Sequence, residues 1–275
     1  MKKWTKMLFV LTMVLSVGLL VACGGADNTD TPANNDPGAS TPAQSDNNEG
    51  KKVYKVGMDA AYKPFEWTEP NGDIAGFDVD VMKAVAEAGG FEVTFTHVGW
   101  EGLFESVNNG QLDIAASAVT ITDERKEKYD FADPYFEATQ LILVPEASDI
   151  ASLADLNGKK IGVQQGTTGD IAVREALGKT YEGVMPYENI PFAIQSMSIG
   201  DVDAVVADNV VVMEYIKANP DAKLKYVSDE SFEAEYYGHL LKKGNTELVT
   251  LISDSLQKIK DNGKYEQIYS SYFGK

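Results

Sequence analysis

The stretch Ala116-Ser117-Ala118-Val119-Thr120-Ile121-Thr122-Asp123-Glu124-Arg125 passes from small residues through hydroxyls into a charged helical turn. At a strand end in an open α/β sheet, hydroxyls followed by an arginine make a site for a carboxylate, because the guanidinium can fork onto two oxygens. A surface ion pair is the competing account of Arg125. Gly166-Thr167-Thr168-Gly169 lies between a predicted strand and a predicted helix, where the free amides of a helix start suit an anion. It lacks the Gly-Lys-Ser/Thr ending of a phosphate-binding loop, so no nucleotide site is read there, and a plain turn fits it equally. Asp208 follows the run Ala204-Val205-Val206-Ala207 and either brings a carboxylate to the end of a buried strand or caps the helix beginning at Asn209. Asp59 also follows a strand, while Tyr62 and Trp100 offer aromatic faces to a ligand or to the core.

These residues need a scaffold that ends strands at one place. Val53 to Met58 reads as a strand, and Phe77, Val81, Val85 and Ala88 fall on one face of a helix closing at Gly89-Gly90. Phe91 to Thr96 alternates as a strand, Gly102 to Val107 fits a short helix, and Asp113 to Val119 reads as a buried strand. A second series follows Pro134, with strands at Leu141 to Val144, Lys160 to Val163, near Val184 and at Ala204 to Val206. Helices are expected from about Gly169, around Phe192 to Ile199 and over Asn209 to Lys217, before Pro220. Two α/β lobes result. The tail runs through a strand-like Tyr236 to Leu241 into a helix with Leu248, Ile252 and Ile259 on one side.

Ahead of the lobes, Lys2, Lys3 and Lys6 precede an apolar run from Met7 to Leu20 that ends on Leu20-Val21-Ala22-Cys23-Gly24. A positive segment, a short apolar segment and small residues before a cysteine resemble a bacterial lipobox, in which 1–22 is a signal peptide and Cys23 is lipidated. The run is shorter than the roughly 20 apolar residues of a membrane span. Cys23 is the only cysteine, so no internal disulfide or cysteine metal cage is possible. From Gly24 to Lys52 the chain is rich in Asn, Asp, Pro, Ser and Thr, a linker with a reach of roughly 30 Å. The net charge of −18 becomes −21 when the three signal lysines leave, a field that opposes nucleic acid.

Asp59 to Glu66, Gly76-Phe77-Asp78-Val79-Asp80, Gly102-Leu103, Thr120 to Arg125, Tyr129 to Tyr135, Gly162 to Gly169 and Val205 to Asn209 together resemble the family 3 solute-binding proteins of amino-acid ABC transporters. The resemblance covers Val53 to Lys275 in order. It implies a periplasmic-binding-protein fold of type II, with lobe 1 at 53–138 plus 237–275, lobe 2 at 139–236, and hinge strands near Thr139 to Val144 and Glu235 to Leu240. Carried over by position, Arg125 forks onto a ligand α-carboxylate with the Thr120 and Thr168 amides. Asp208, the Thr120 hydroxyl and the Ala118 carbonyl hold the α-ammonium. A zwitterion leaving water needs each charge paired, which agrees with this division. Tyr62 and Trp100 line the side-chain pocket, Asp59 lies at its far end, and Gln164 reaches in from lobe 2.

An aromatic pair with a carboxylate suits arginine, lysine or histidine, and glutamine is the alternative because Asp59 accepts from a neutral amide as well. The resemblance further implies a monomer without cofactor, partnered by an ABC permease, while the lipobox and the long linker imply a lipid anchor on the outer face of the cell membrane, or on the periplasmic side if the cell has an outer membrane. A dehydratase-like cleft enzyme is disfavoured because His97 and His239 stand outside the motifs and Asp59 and Asp208 have binding roles. A receptor signalling to a membrane kinase has the same sequence signature. Asp78-Val79-Asp80 and Asp201-Val202-Asp203 lack the spacing of a calcium loop and read as surface caps and turns, so no metal is expected.

Overall fold

Strand Val53–Met58 is flanked by parallel partners, Glu92–His97 on one side and Ile114–Ala115 on the other. Leu240–Lys242 and Tyr129–Phe131 extend this five-stranded sheet antiparallel. A second five-stranded sheet runs Val184–Tyr187, Ile161–Gln164, Ala204–Asp208, Gln140–Pro145, Leu224–Val227, the first two pairings parallel and the last two antiparallel. The computed structural model describes residues 50–274. The expected signal peptide 1–22, Cys23 and most of the linker 23–52 lie outside the described residues. Among the described residues no helix is long and apolar enough to cross a membrane.

Helices cover the sheets because their apolar stripes recur every three or four residues. Phe77–Gly89 buries Phe77, Val81 and Val85, and Gly90 ends it in the left-handed region at φ 74°, its N–H returning to the Ala86 and Glu87 carbonyls. That conformation favours glycine, which has no Cβ to clash. Thr246–Asp261 lays Leu248, Ile252, Leu256 and Ile259 against Phe77–Gly89, returning the tail to the first sheet. Phe65 sits fully buried among Phe77, Phe136, Tyr237 and Phe273, with ring centroids 4.9 to 6.0 Å from it.

Three elements differ from their sequence-based expectation. Gln140–Pro145, expected as a hinge strand, is an interior strand of the second sheet, paired on both sides. The ladder that joins the lobes is Phe136–Ala138 with Glu235–Tyr237. The strand-like tail segment is split, because Glu235–Tyr237 pairs in this ladder while Leu240–Lys242 pairs in the first sheet. The buried strand expected over Asp113 to Val119 is regular only at Ile114–Ala115. Beyond it the chain turns, with Ala118 at φ 46°, a left-handed conformation that alanine adopts only when its surroundings hold it there.

Candidate ligand-binding cleft

The ends of the parallel strands converge where the chain turns. Val53–Met58 delivers Asp59, Ile161–Gln164 delivers Gln164, and Ala204–Asp208 delivers Asp208. Asp59, Tyr62, Trp100, Ala118, Thr120, Arg125, Gln164, Thr168 and Asp208 all line one cavity of about 310 Å³, part of it open to solvent. Glu66, Ser117 and Thr167 complete the lining.

Arg125 lies in the short helix Asp123–Lys128, whose first turn is capped by the Thr122 hydroxyl accepting from the Arg125 N–H at 3.2 Å. Its guanidinium donates to the Thr120 carbonyl at 2.9 Å and to the Gly166 carbonyl at 3.3 Å. It stands 5.2 Å above the Trp100 ring and 5.3 Å from the Phe104 ring. Among the described residues no ion pair includes it, so the surface-pair reading does not describe its place. Burial lowers its pKa to about 10, while Glu235 and Asp208 act to raise it. The guanidinium stays charged and keeps N–H groups for an anion.

Asp208 stands at the N-cap position of Asn209–Ala218, yet its side chain makes no cap hydrogen bond. Its carboxylate turns into the cleft and accepts from the Gln140 amide and the Tyr237 hydroxyl. Burial pushes its carboxyl up to about 6; Glu235 adds to this, and bonds from Tyr237, Tyr62 and Gln140 oppose it. Asp59 accepts from the Gln164 amide at 2.7 Å, a bond between the lobes, and its own N–H donates to Ser117 Oγ at 2.9 Å. Burial raises its carboxyl; the Gln164 bond and His97 lower it. His97, read as outside the motifs, has Nδ1 3.9 Å from Asp59. That nitrogen accepts from the Ala60 N–H at 2.9 Å, so its lone pair is engaged by the backbone and not by the carboxylate.

The turn at Ala118 is held from beneath. Asp78, expected as a surface cap, is fully buried: its Oδ2 accepts from the Ala118 N–H at 2.7 Å and from the Tyr135 hydroxyl at 2.6 Å. A carboxylate bonded to the backbone N–H fixes the left-handed residue that lines the cavity. Burial pushes Asp78 up to about 7. Glu66, also fully buried, accepts from the Ser117 hydroxyl at 2.7 Å. Burial first and then the charge of Asp78 push its carboxyl well above the usual range.

On the opposite wall, Thr168–Leu177 begins with the Thr167 hydroxyl accepting from the Asp170 N–H, and Gly166 turns at φ 72°. Thr167 and Thr168 at this helix start line the cavity, while the amides of Gly166, Thr167 and Asp170 are bonded within the chain to Asp170, Gln164 and Thr167 respectively. Sequence reasoning missed Gln140 and Glu235. The Gln140 amide nitrogen lies within hydrogen-bond reach of Asp208, of Glu235 at 3.1 Å and of Thr168 Oγ1 at 3.3 Å, and its two hydrogens serve two of these acceptors at a time. Both residues open ordinary strands, Glu235 at the head of Glu235-Tyr236-Tyr237-Gly238, a stretch that resembles the basic-amino-acid branch without marking the glutamate as a cleft residue; the sheet pairing and the hinge ladder bring both to the cleft. His239 is fully buried and stacked 4.6 Å from Tyr135, and burial lowers its pKa to about 3. Among the described residues no group of three or more His, Cys, Asp or Glu could hold a metal ion.

Comparison with known proteins gives a consistent picture. The model of the bacterial extracellular solute-binding proteins, family 3, matches residues 54–275. A probable histidine-binding protein of Neisseria gonorrhoeae is 40% identical, over 100% of this chain and 97% of its own length. The arginine-, lysine-, histidine-binding protein ArtJ of Geobacillus stearothermophilus superposes with a TM-score of 0.78 at 44% identity, covering 82% of this chain and 96% of that one. An ancestral arginine-binding protein, seen bound to glutamine, superposes with a TM-score of 0.77 at 40% identity, covering 82% of this chain and 100% of its own.

Proposed function

This chain belongs to the bacterial extracellular solute-binding proteins of family 3, and from that premise we propose that it is the receptor of an ABC importer whose lobes close on a basic L-amino acid: arginine, lysine or histidine. The observation that carries the choice of side chain is the charge balance of the cleft. Asp59, Asp208 and Glu235 gather around a single guanidinium, that of Arg125. A neutral zwitterion leaves that surplus uncompensated, whereas a cationic side chain reaching Asp59 reduces it.

Arg125 and the amides of Thr120 and Thr168 take the α-carboxylate, and Asp208, the Thr120 hydroxyl and the Ala118 carbonyl take the α-ammonium. Because Arg125 and Asp208 belong to different lobes, the ligand binds the closed state with contacts that the open state lacks, and closure follows from that difference. Tyr62 and Trp100 flank the side chain, although one face of Trp100 already carries Arg125. Asp59 ends the pocket and Gln164 meets it from the second lobe.

Glutamine is the second reading. The ancestral arginine-binding protein bound to glutamine favours it, and so does Asp59 itself, which already accepts from the neutral amide of Gln164 at 2.7 Å. We further propose that Cys23 carries a lipid after removal of 1–22, that 23–52 tethers a monomeric receptor to the outer face of the membrane, and that an ABC permease receives the ligand. A thermal-shift screen against the twenty amino acids tests the assignment, since a ligand at 100 times its Kd adds about 2.7 kcal/mol to the folded state. The largest rise is expected from arginine, lysine or histidine; a rise confined to acidic or apolar amino acids overturns it.

A further inference from the structure

Glu235 enters the cleft from the first position of the hinge strand Glu235–Tyr237. Its Oε2 accepts from the Thr120 hydroxyl at 2.9 Å and from the Thr168 hydroxyl at 2.7 Å. Its Oε1 accepts from the Gln140 amide at 3.1 Å. Thr120 follows strand Ile114–Ala115 of the first sheet, and Thr168 begins the helix after strand Ile161–Gln164 of the second. One carboxylate oxygen on the hinge therefore gathers a hydroxyl from each side of the cleft.

Hydrogen-bond inventory makes this arrangement consequential. A threonine hydroxyl has one hydrogen and two lone pairs, and a carboxylate only accepts. Glu235 thus takes the single hydrogen of both threonines. Their Oγ1 atoms stand 3.5 Å apart, and with both hydrogens drawn to Glu235 neither bridges that gap. The two hydrogens of the Gln140 amide go to Asp208 and Glu235 ahead of Thr168, its longest contact at 3.3 Å, so the lone pairs of both hydroxyls are what they can offer a ligand.

We infer that Glu235 is a positioning residue that fixes the polarity of the Thr120 and Thr168 hydroxyls, making them acceptors for a ligand's α-ammonium and withholding them as donors to its carboxylate. The inference rests on the proposed amino-acid site and adds a division of labour to it: the carboxylate is left to Arg125 and backbone amides, and the ammonium to Asp208 and the hydroxyl lone pairs. Replacing Glu235 by glutamine removes the obligation, because an amide both donates and accepts and each hydroxyl can then point its hydrogen at the ligand.

The test compares L-arginine with 5-guanidinopentanoate, the same molecule without its α-amino group, by calorimetry and competition on the purified full-length receptor in detergent. In Glu235→Gln, arginine affinity is expected to fall about tenfold, the scale of one hydrogen bond to a charged group. Affinity for 5-guanidinopentanoate is expected to stay within about twofold by the same reasoning, so the preference for the amino group shrinks about tenfold. Glu235→Asp keeps an acceptor-only group and is expected to restore most of the preference. Equal weakening of both ligands in Glu235→Gln, or unchanged arginine binding, overturns the inference. Failure of the unaltered receptor to bind any basic amino acid instead overturns the functional reading; the ligand pair then becomes the amino acid that does bind and its deamino analogue, and the same ratio decides.

Discussion

Exchanging Asp59 for asparagine keeps the side chain's size and removes its charge at a position only 5% exposed. If the ligand is arginine, the guanidinium and Asp59 form a buried charge pair, and deleting one partner of such a pair costs about 3 to 5 kcal/mol. A glutamine amide at the same oxygen makes a neutral hydrogen bond with a net value of about 0.5 to 1.5 kcal/mol. At 1.4 kcal/mol per factor of ten, Asp59→Asn should weaken arginine by roughly 100-fold or more and glutamine by about tenfold or less. The substitution also disturbs the bond from Gln164 to Asp59, 2.7 Å long, that joins the lobes. Closure is loosened for both ligands alike, so this effect cancels in the ratio of the two losses. Calorimetric titration of both amino acids into both proteins gives that ratio directly. A change in the ratio below about threefold would mean that Asp59 does not read a cationic side chain, whatever the absolute affinities.

Arg125→Ala should cost about 2 to 5 kcal/mol for every amino-acid ligand irrespective of side chain, since the fork serves the shared carboxylate; unchanged calorimetric affinity removes Arg125 from the site. Asp208 sets opposed pH trends. Its folded carboxyl stands at about 6 against an ordinary 3.8, so between those values the folded protein holds a proton that the unfolded chain has released. Stability of the ligand-free protein therefore falls as pH rises through that window, by about 3 kcal/mol for this group, and Asp78, at about 7, acts in the same direction. Affinity runs the other way, because an ammonium needs the ionised carboxylate. The melting temperature without ligand should be higher at pH 5 than at pH 7.5 while arginine binds more weakly, and parallel trends would exclude Asp208 as the titrating group. Cys23→Ala should move the receptor from the membrane fraction to the soluble fraction, and continued sedimentation with membranes argues against lipidation.

The alternation of apolar strands with helical stripes is a local signal, and it marked most elements near their observed positions. Val53–Met58, Phe77–Gly89 and Ala204–Asp208 could be read because their burial follows the periods of strand and helix. Arg125, Thr168 and Asp208 were visible as candidates because hydroxyls, glycines and charges at strand ends are local too. The sequence could not choose between cap and ligand for Asp208, since both readings demand a carboxylate before Asn209. Tertiary packing supplies Gln140 and Tyr237 as its partners and turns it into the cleft.

By itself, then, the amino-acid order determined the two-lobe pattern, the single cysteine and the list of groups fit for a zwitterion, because each depends on residues close together in the chain. The tertiary structure alone decided that Asp78 is buried beneath Ala118 rather than exposed, that Gln140–Pro145 lies inside a sheet rather than in the hinge, and that Glu235 governs two hydroxyls. Those facts join residues 40 to 115 positions apart. Such contacts arise from strand order and hinge pairing, and no local pattern of side chains encodes them.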